Sequence, residues 1–357
     1  MFLQNIELLP VNILQIVFAF QMSFIALLIW NQERYRSLAV FFIFQAILSA
    51  MNALEGTNTN NQHYLITPAF TLVIGPILYF FIRSLVNDVT LKRQEKAMHF
   101  ILSIIALPFT QYTQLIIAFG TLSQVIYLLL SFRLISRYHA TSKAVSSDAD
   151  SYKLTWLVKA LTVFAVATVI DLVRMNLQTI TSDHVKGLWY LVNEVIFFSL
   201  YCYLAFKVIR QPLLFDGMTF YESLNEHKIT DDKQAEKALA KSIFTNIESL
   251  ILQNEMFKKP RLTVTDIAQS TGVNVKDISW AINLGSNRNF CDYINSLRIA
   301  EVKKKLLAGN SDSASLLEIA LASGFNSKST FNAVFKKEQG KTPSQFLREN
   351  LKPTVES

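Results

Sequence analysis

Residues 315–348 read SLLEIALASGFNSKSTFNAVFKKEQGKTPSQFLR, and the local signals in this stretch specify two short helices meeting at a glycine corner. Ser315 and Glu318 form an S-x-x-E capping box, so a helix starts at Leu316 and carries Ile319 and Ala320 inward. Gly324 supplies the positive φ that ends it, and Phe325 plugs the corner. Asn326 or Ser327 can cap the next helix, in which Phe331, Val334 and Phe335 fall at i, i+3 and i+4 and face the first helix. The opposite face stays polar, as expected of a helix that enters a DNA groove.

The same design stands about fifty residues earlier in LTVTDIAQSTGVNVKDISWAIN. Here Thr263 and Asp266 make the cap, Ile267 and Ala268 point inward, and Gly272 makes the turn. Two helix-turn-helix units therefore stand in tandem. The tandem resembles the AraC/XylS type of DNA-binding domain, on the strength of an IA-x3-GF element (319–325), an F-x3-F-K-K stretch (331–337) and a G-x-TP close (340–343). The run NFCDYINSLRIAEVKKKLL (289–307) resembles the long helix that joins the two units in that family. The resemblance covers roughly residues 235–350 and implies an all-helical domain that binds specific DNA sequences and regulates transcription, as an activator. RNA polymerase and a second copy of the chain are candidate partners.

Charge supports this reading. Residues 257–352 hold 15 Lys+Arg against 8 Asp+Glu, whereas residues 212–256 hold 4 against 8, so positive charge is concentrated where a polyphosphate would lie. In a helix-turn-helix the early residues of the second helix approach base edges. In the first unit the outward positions are Lys276, Ser279, Trp280 and Asn283; in the second they are Lys328, Ser329, Asn332 and Ala333. Asn pairs with adenine and Lys donates to guanine, which favours Asn332, Asn283 and Lys276 as direct readers. Lys336, Lys337 and Lys341 suit phosphate anchoring, which gives position without sequence choice. The resembled family often has arginine where this chain has Trp280 and Ala333.

The first half is different material. Over the whole chain 51% of residues are hydrophobic and 17% charged, against a quarter charged in ordinary soluble domains. Seven apolar stretches have spanning character: 10–30, 38–54, 67–85, 98–112, 114–134, 156–177 and 188–206. The fourth is short and broken by Pro108. The alternate loops 31–37, 86–97, 133–155 and 207–211 carry eleven basic residues, and the other set carries only Lys186. The amino end is therefore expected outside and the tail in the cytoplasm. Residues 1–33 contain no Lys or Arg, so no cleavable signal peptide is expected. The expected domains are a seven-span bundle at 1–211, a connector with a leading helix at 212–256, and the tandem unit at 257–352.

Charged groups within spans are costly and usually functional. Asp171 and Arg174 lie one turn apart in the sixth span and Glu194 lies in the seventh. With Asn12, Gln15, Asn52 and Asn193 at similar depth they can form a polar pocket open to the outside. The alternative is that Asp171 and Arg174 are an ion pair locking two helices. Pro68, Pro76 and Pro108 can kink their helices. Cys202 and Cys291 fall in different halves and cannot pair. The five histidines show no ligand spacing, so neither a metal nor a cofactor is expected, and no catalytic motif is present.

Between the halves, the stretch after Pro212 reads as an irregular connector. A helix then runs from Asp231 to about Met256, with Leu239, Ile243, Ile247, Leu250 and Ile251 forming one stripe. That stripe packs on the tandem domain or makes a dimer seam. The whole reads as a multi-pass protein of the cytoplasmic membrane in which an unknown small-molecule or envelope signal controls double-stranded DNA binding. The alternative is a membrane receptor or transporter whose tail docks proteins.

Overall fold

The computed structural model describes residues 10–56, 65–86, 92–177, 180–210, 214, 233–307 and 315–350. Among these the architecture is all-helical, with no strand and only an isolated bridge between Ser146 and Thr263. The chain forms two compact units, one from Met1–Arg137 with Leu154–Asp216, the other from Tyr138–Lys153 with Gly217–Ser357. The connector expected after Pro212 lies almost wholly outside the described residues.

Unit 1 contains α1 (Pro10–Ile29), α2 (Arg36–Gly56), α3 (Thr67–Val86), α4 (Arg93–Met98), α5 (Ile101–Ala106), most of α6 (Thr113–Val145), α7 (Thr155–Leu177) and α8 (Asp183–Arg210). Among the described residues, six segments are long and apolar enough to cross a membrane: Pro10–Ile29, Arg36–Glu55, Thr67–Val86, Thr113–Val145, Ala149–Asp171 and His184–Arg210. Their surface departs from that of a water-soluble fold, with large apolar side chains outside and several polar ones buried in an otherwise apolar core. Asn12, Gln15, Gln45, Ser49, Ser131 and Thr168 are buried, while Phe20, Leu27, Leu54, Leu129 and Val169 are exposed. Water would penalise such a surface; hydrocarbon would not.

The direction of each helix follows from its contacts. At the α2–α3 corner the Glu55 carboxylate accepts the Ile66 and Thr67 N–H groups at 2.7 and 3.2 Å and the Thr67 hydroxyl at 2.5 Å, while Phe41 meets Phe81 at the other end. These helices are antiparallel. By contrast α3 and α6 ascend together. Gln124 donates to the Thr71 carbonyl at 3.2 Å, Gly75 faces Gln124 and Tyr127, and Tyr79 meets Tyr127. Glycines permit this close approach: a Cβ at Gly120 would lie 2.0 Å from Thr71 Oγ1. Likewise α1 ascends with α8, since Ser49 bridges the Gln15 carbonyl and Glu194, Phe18 meets Phe198, and Gln21 donates to Cys202.

If α3 and α6 are parallel, the chain between them must return. The expected fourth span is not one spanning helix. It is α4, α5 and a 3-10 turn at Leu107–Phe109; Pro108 accounts for the end of α5, while α4 has already ended at Met98. The pieces nevertheless run back along α3. His99 shares a 2.6 Å hydrogen bond with Tyr127 and stands edge-on to Phe80, and Ala106 joins Ala69, Leu72 and Ile116. Among the described residues, chain direction thus alternates through seven segments, six of them long helices.

Unit 2 contains α9 (Lys233–Gln253), α10 (Val264–Thr271), α11 (Val275–Ser286), α12 (Phe290–Leu307), α13 (Leu316–Ala322), α14 (Lys328–Gln339) and α15 (Pro343–Asn350). The leading helix α9 packs on α11, burying Ala240, Ile247 and Ile251. Gly285 makes the room, since a Cβ there would meet Phe244 at 2.4 Å. Leu239, expected in the stripe, is 58% exposed, because the buried line runs through Ala240. This packing accounts for the stripe without a dimer seam. Around α12 the second unit's core gathers Ile299, Val302, Leu306, Ile319, Ala320, Phe325, Phe331, Val334 and Phe335.

Candidate nucleic-acid interface

Both corners form as their residues dictate. In the first, Thr263 Oγ1 accepts the Asp266 N–H at 3.2 Å and Asp266 accepts the Thr263 N–H at 2.8 Å. Gly272 ends α10 at φ 70°, and Asn274 caps α11 by accepting the Lys276 N–H at 3.1 Å. In the second, Ser315 and Glu318 exchange bonds of 3.2 and 2.6 Å, Gly324 turns at φ 99°, and Ser327 accepts the Thr330 N–H at 3.1 Å. Phe325 is buried against Phe331. The helices α11 and α14 each have 12 residues, so positions 276, 279, 280 and 283 correspond by offset to 329, 332, 333 and 336.

Exposure separates the two. On α14, Lys328, Ser329, Asn332, Ala333, Lys336 and Lys337 are all exposed. On α11, Asn283 is exposed and Lys276 and Trp280 are half-buried. Ser279 departs from the expected open face: it is 6% exposed and donates to the Ala144 carbonyl at 3.2 Å. Two expected phosphate anchors already hold partners. Lys337 pairs with Asp292 at 2.7 Å and Lys341 pairs with Glu349. Such exposed pairs are weak enough to exchange for phosphate. Burial alone would raise the Asp292 pKa, but the hydrogen bond and charge of Lys337 outweigh it and hold the carboxyl below its ordinary value.

The joining helix α12 has 18 residues, about 27 Å at 1.5 Å per residue, a little under one turn of the duplex. Its centre carries a group that sequence reading missed. Arg298 is 1% exposed and donates to the carbonyls of Phe257 and Lys259, both at 2.8 Å, to Asn295 Oδ1 at 3.2 Å and to Ser147 Oγ at 3.1 Å. Burial lowers its pKa to about 10, so it remains charged at neutral pH. The available signal was a lone arginine in the apolar line Ile294, Arg298, Val302. A second missed tie is Arg288, which donates to both carboxylate oxygens of Glu338 at 3.0 Å and fixes the corner between α11 and α12 to α14.

In unit 1, Asp171 and Arg174 form the ion pair at 2.7 Å, with the guanidinium 4.3 Å from the Tyr190 ring centre. Asn193 donates to Asp171 at 3.4 Å and Ser49 donates to Glu194 at 3.4 Å. Asp171, Glu194, Asn52 and Asn193 line one cavity of about 200 Å³; Arg174, Asn12 and Gln15 do not. The Asp171–Arg174 pair forms within α7, and the cavity sets Asp171, Glu194, Asn52 and Asn193 among apolar side chains that include Phe18, Phe164 and Phe197.

Residues 267–349 match a family of helix-turn-helix domains. The chain is 29% identical over 126 residues to an uncharacterized HTH-type transcriptional regulator encoded in the cgkA 5' region of Pseudoalteromonas carrageenovora, covering 34% of this chain and 73% of that protein. It is 28% identical over 99 residues to the probable transcription factor PqrA of Proteus vulgaris, covering 28% of this chain and 78% of that one. No solved structure matches. The carboxyl-terminal segment is thus an AraC/XylS-type helix-turn-helix region, and these matches support a DNA-binding transcriptional regulator.

Proposed function

We propose that this chain is a membrane-embedded, sequence-specific regulator of transcription, a one-component sensor that acts as an activator. The observation that carries the reading is the coexistence in one chain of a helical bundle with a broadly apolar exterior and a tandem helix-turn-helix. With seven passes and the basic residues of alternate loops on the inner side, the amino end lies outside and unit 2 in the cytoplasm. An even number of passes would put the two chain ends on one side.

Direct base contact is assigned to Asn332 and Lys328 from α14 and to Asn283 and Lys276 from α11, with Trp280 against a thymine methyl and Ser329 at the phosphates. Lys336, Lys337 and Lys341 anchor the backbone. The cavity bounded by Asp171 and Glu194 receives the signal, and its occupancy shifts the population of DNA-competent unit 2. A second copy and RNA polymerase complete the assembly at a promoter.

The test is occupancy of chromosomal DNA by the full chain in its native cell, together with a reporter fused after Ser357. Sequence-selective occupancy, a cytoplasmic reporter and membrane fractionation are expected. An exported reporter would remove unit 2 from DNA and sink the reading, and salt-independent association with proteins alone would favour a docking tail.

A further inference from the structure

We infer that the unit 1 cavity is a receptor site for a small amino alcohol, an organic ammonium ion that also carries a hydroxyl. At about 200 Å³ it has room for roughly ten non-hydrogen atoms at interior packing density. Its acidic side is uncompensated. Asp171 is neutralised by Arg174 from outside the lining, but Glu194 has only the 3.4 Å contact with Ser49, and no lysine or arginine lines the space. A carboxylate held among apolar helices calls for a cation. The walls suit an ammonium ion with an apolar body: Phe18, Phe164, Phe197 and Tyr201 line the space, and Phe197 and Tyr201 stack at 6.0 Å. Gln45 supplies the second requirement. It is 4% exposed, lines the cavity beside the Tyr201 hydroxyl and makes no hydrogen bond of good geometry through its Nε2, so a ligand acceptor such as a hydroxyl oxygen completes it.

The inference rests on unit 1 being the sensing half, and its test is kept apart from DNA. The full chain in lipid nanodiscs is titrated calorimetrically with 2-amino-1-phenylethanol, 1-phenylethane-1,2-diol and 2-phenylethylamine. The amino alcohol is expected to bind about tenfold tighter than the diol, which has the same shape without the charge. Glu194→Gln abolishes that difference, and Gln45→Leu abolishes the preference for the amino alcohol over 2-phenylethylamine, with thermal melting of the bundle unchanged in both. Equal binding of amine and diol, amine binding indifferent to Glu194→Gln, or no binding of either amine at millimolar concentration overturns the inference. Binding without any change in DNA occupancy would count against the sensor function and leave the ligand assignment standing.

A different observation carries a second inference. Unit 2 takes Tyr138–Lys153 from the middle of the chain, between the apolar stretches of α6 and α7. Ser147 is the hub of that insertion. Its N–H donates to the Leu262 carbonyl at 2.9 Å, its carbonyl accepts Asn295 at 3.3 Å and the Cys291 thiol at 3.5 Å, and its hydroxyl accepts Arg298. Ala144 covers Ser279, whose counterpart Asn332 is open. We propose that residues 144–149 are a brake on the first reading helix, released when that helix enters a groove. Both ends of the insertion continue into helices whose residues line the cavity, Gln124 on α6 and Asp171 on α7, which gives the signal a covalent route to the brake.

Hydrogen exchange on the full chain in nanodiscs, with and without a duplex selected from random sequence, tests the brake. Amides 144–149 are expected to lose protection when the duplex binds, and Ser147→Trp, too large for a site 1% exposed, is expected to tighten duplex binding by about tenfold. Unchanged or increased protection of 144–149, or weaker binding by Ser147→Trp with α12 and α14 still protected, would make the segment a strut of the DNA-binding form and overturn the proposal. If the variant loses protection of α12 itself, the wild-type exchange decides alone.

Discussion

Residues 263–286 and 315–339 are assembled from the same parts: a reciprocal capping box, a short first helix, a left-handed glycine and a capped second helix of 12 residues. Their surroundings differ. Around Gly272 a Cβ would meet nothing, whereas at Gly324 it would lie 2.6 Å from the Phe257 carbonyl oxygen and 2.8 Å from Arg298 Nε. The first reading helix is packed by α9 and by residues 144–149, while the second presents its outward face to solvent. Local grammar therefore builds the reader, and distant segments decide whether it is open. The second helix-turn-helix has the properties of a standing DNA contact and the first those of a controlled one.

The comparison is broken most forcefully at the glycines. Gly324→Ala combines a strained φ of 99° with collision against backbone, so a loss of about 2–4 kcal/mol is expected. Gly272→Ala has φ strain without collision and costs about 1 kcal/mol. Protection of α13 and α14 in hydrogen exchange should fall far more in the first variant than protection of α10 and α11 in the second. Equal losses would mean that Gly324 is not packed as described.

Next in size is base reading. Asn332→Ala is expected to weaken binding to a selected duplex by about 1–3 kcal/mol and to relax preference at one base pair. Ser279→Ala, at the matched offset, should not weaken binding while residues 144–149 cover it, since the bond lost is to Ala144. Fluorescence anisotropy with matched and single-substituted duplexes separates the two. A larger loss from Ser279→Ala would show that the first reader is the dominant one.

What could be read in advance follows the range of the interaction. The capping boxes, Gly272, Gly324, and the inward Phe331, Val334 and Phe335 are all set within a few residues, and they stand where the pattern put them. Asp171 and Glu194 were legible because ionised groups in an apolar run demand a reason, and both line the cavity. Ser279 was misread because its partner lies 135 positions away. Gln45 was passed over because a neutral amide in a span carries little cost of its own until its donor is found without a hydrogen bond of good geometry. The fourth stretch, 98–112, reads as one span, but it is not among the six long apolar helices of the described residues; short helices and a 3-10 turn stand there instead.

Acid should touch both helix-turn-helix corners through different carboxylates. Burial would raise the Asp266 pKa, but hydrogen bonds from Lys259 and Thr263 hold it below its ordinary 3.8, and Lys337 does the same for Asp292. A folded value below the unfolded one means that the stabilisation is complete above the ordinary value and disappears as pH falls through the folded one. As pH falls below about 4, then, the Thr263 cap and the tie from α12 to α14 both weaken. Asp266→Asn should flatten the acid limb for α10 and Asp292→Asn that for α14, read by exchange protection against pH. An acid limb at α14 unaltered by Asp292→Asn would detach Lys337 from that account.

The smallest effect sharpens the difference between holding and reading. Lys336 is exposed on α14, at the offset occupied in α11 by Asn283. A phosphate anchor releases about one counterion on binding, so Lys336→Ala should lower the slope of log affinity against log salt by about 0.9 and leave the ranking of duplexes untouched. Asn283→Ala should do the reverse, altering the ranking and leaving the slope. If both variants moved only the slope, the first helix would contact backbone alone, and sequence choice would rest on Asn332 and Lys328 from the second.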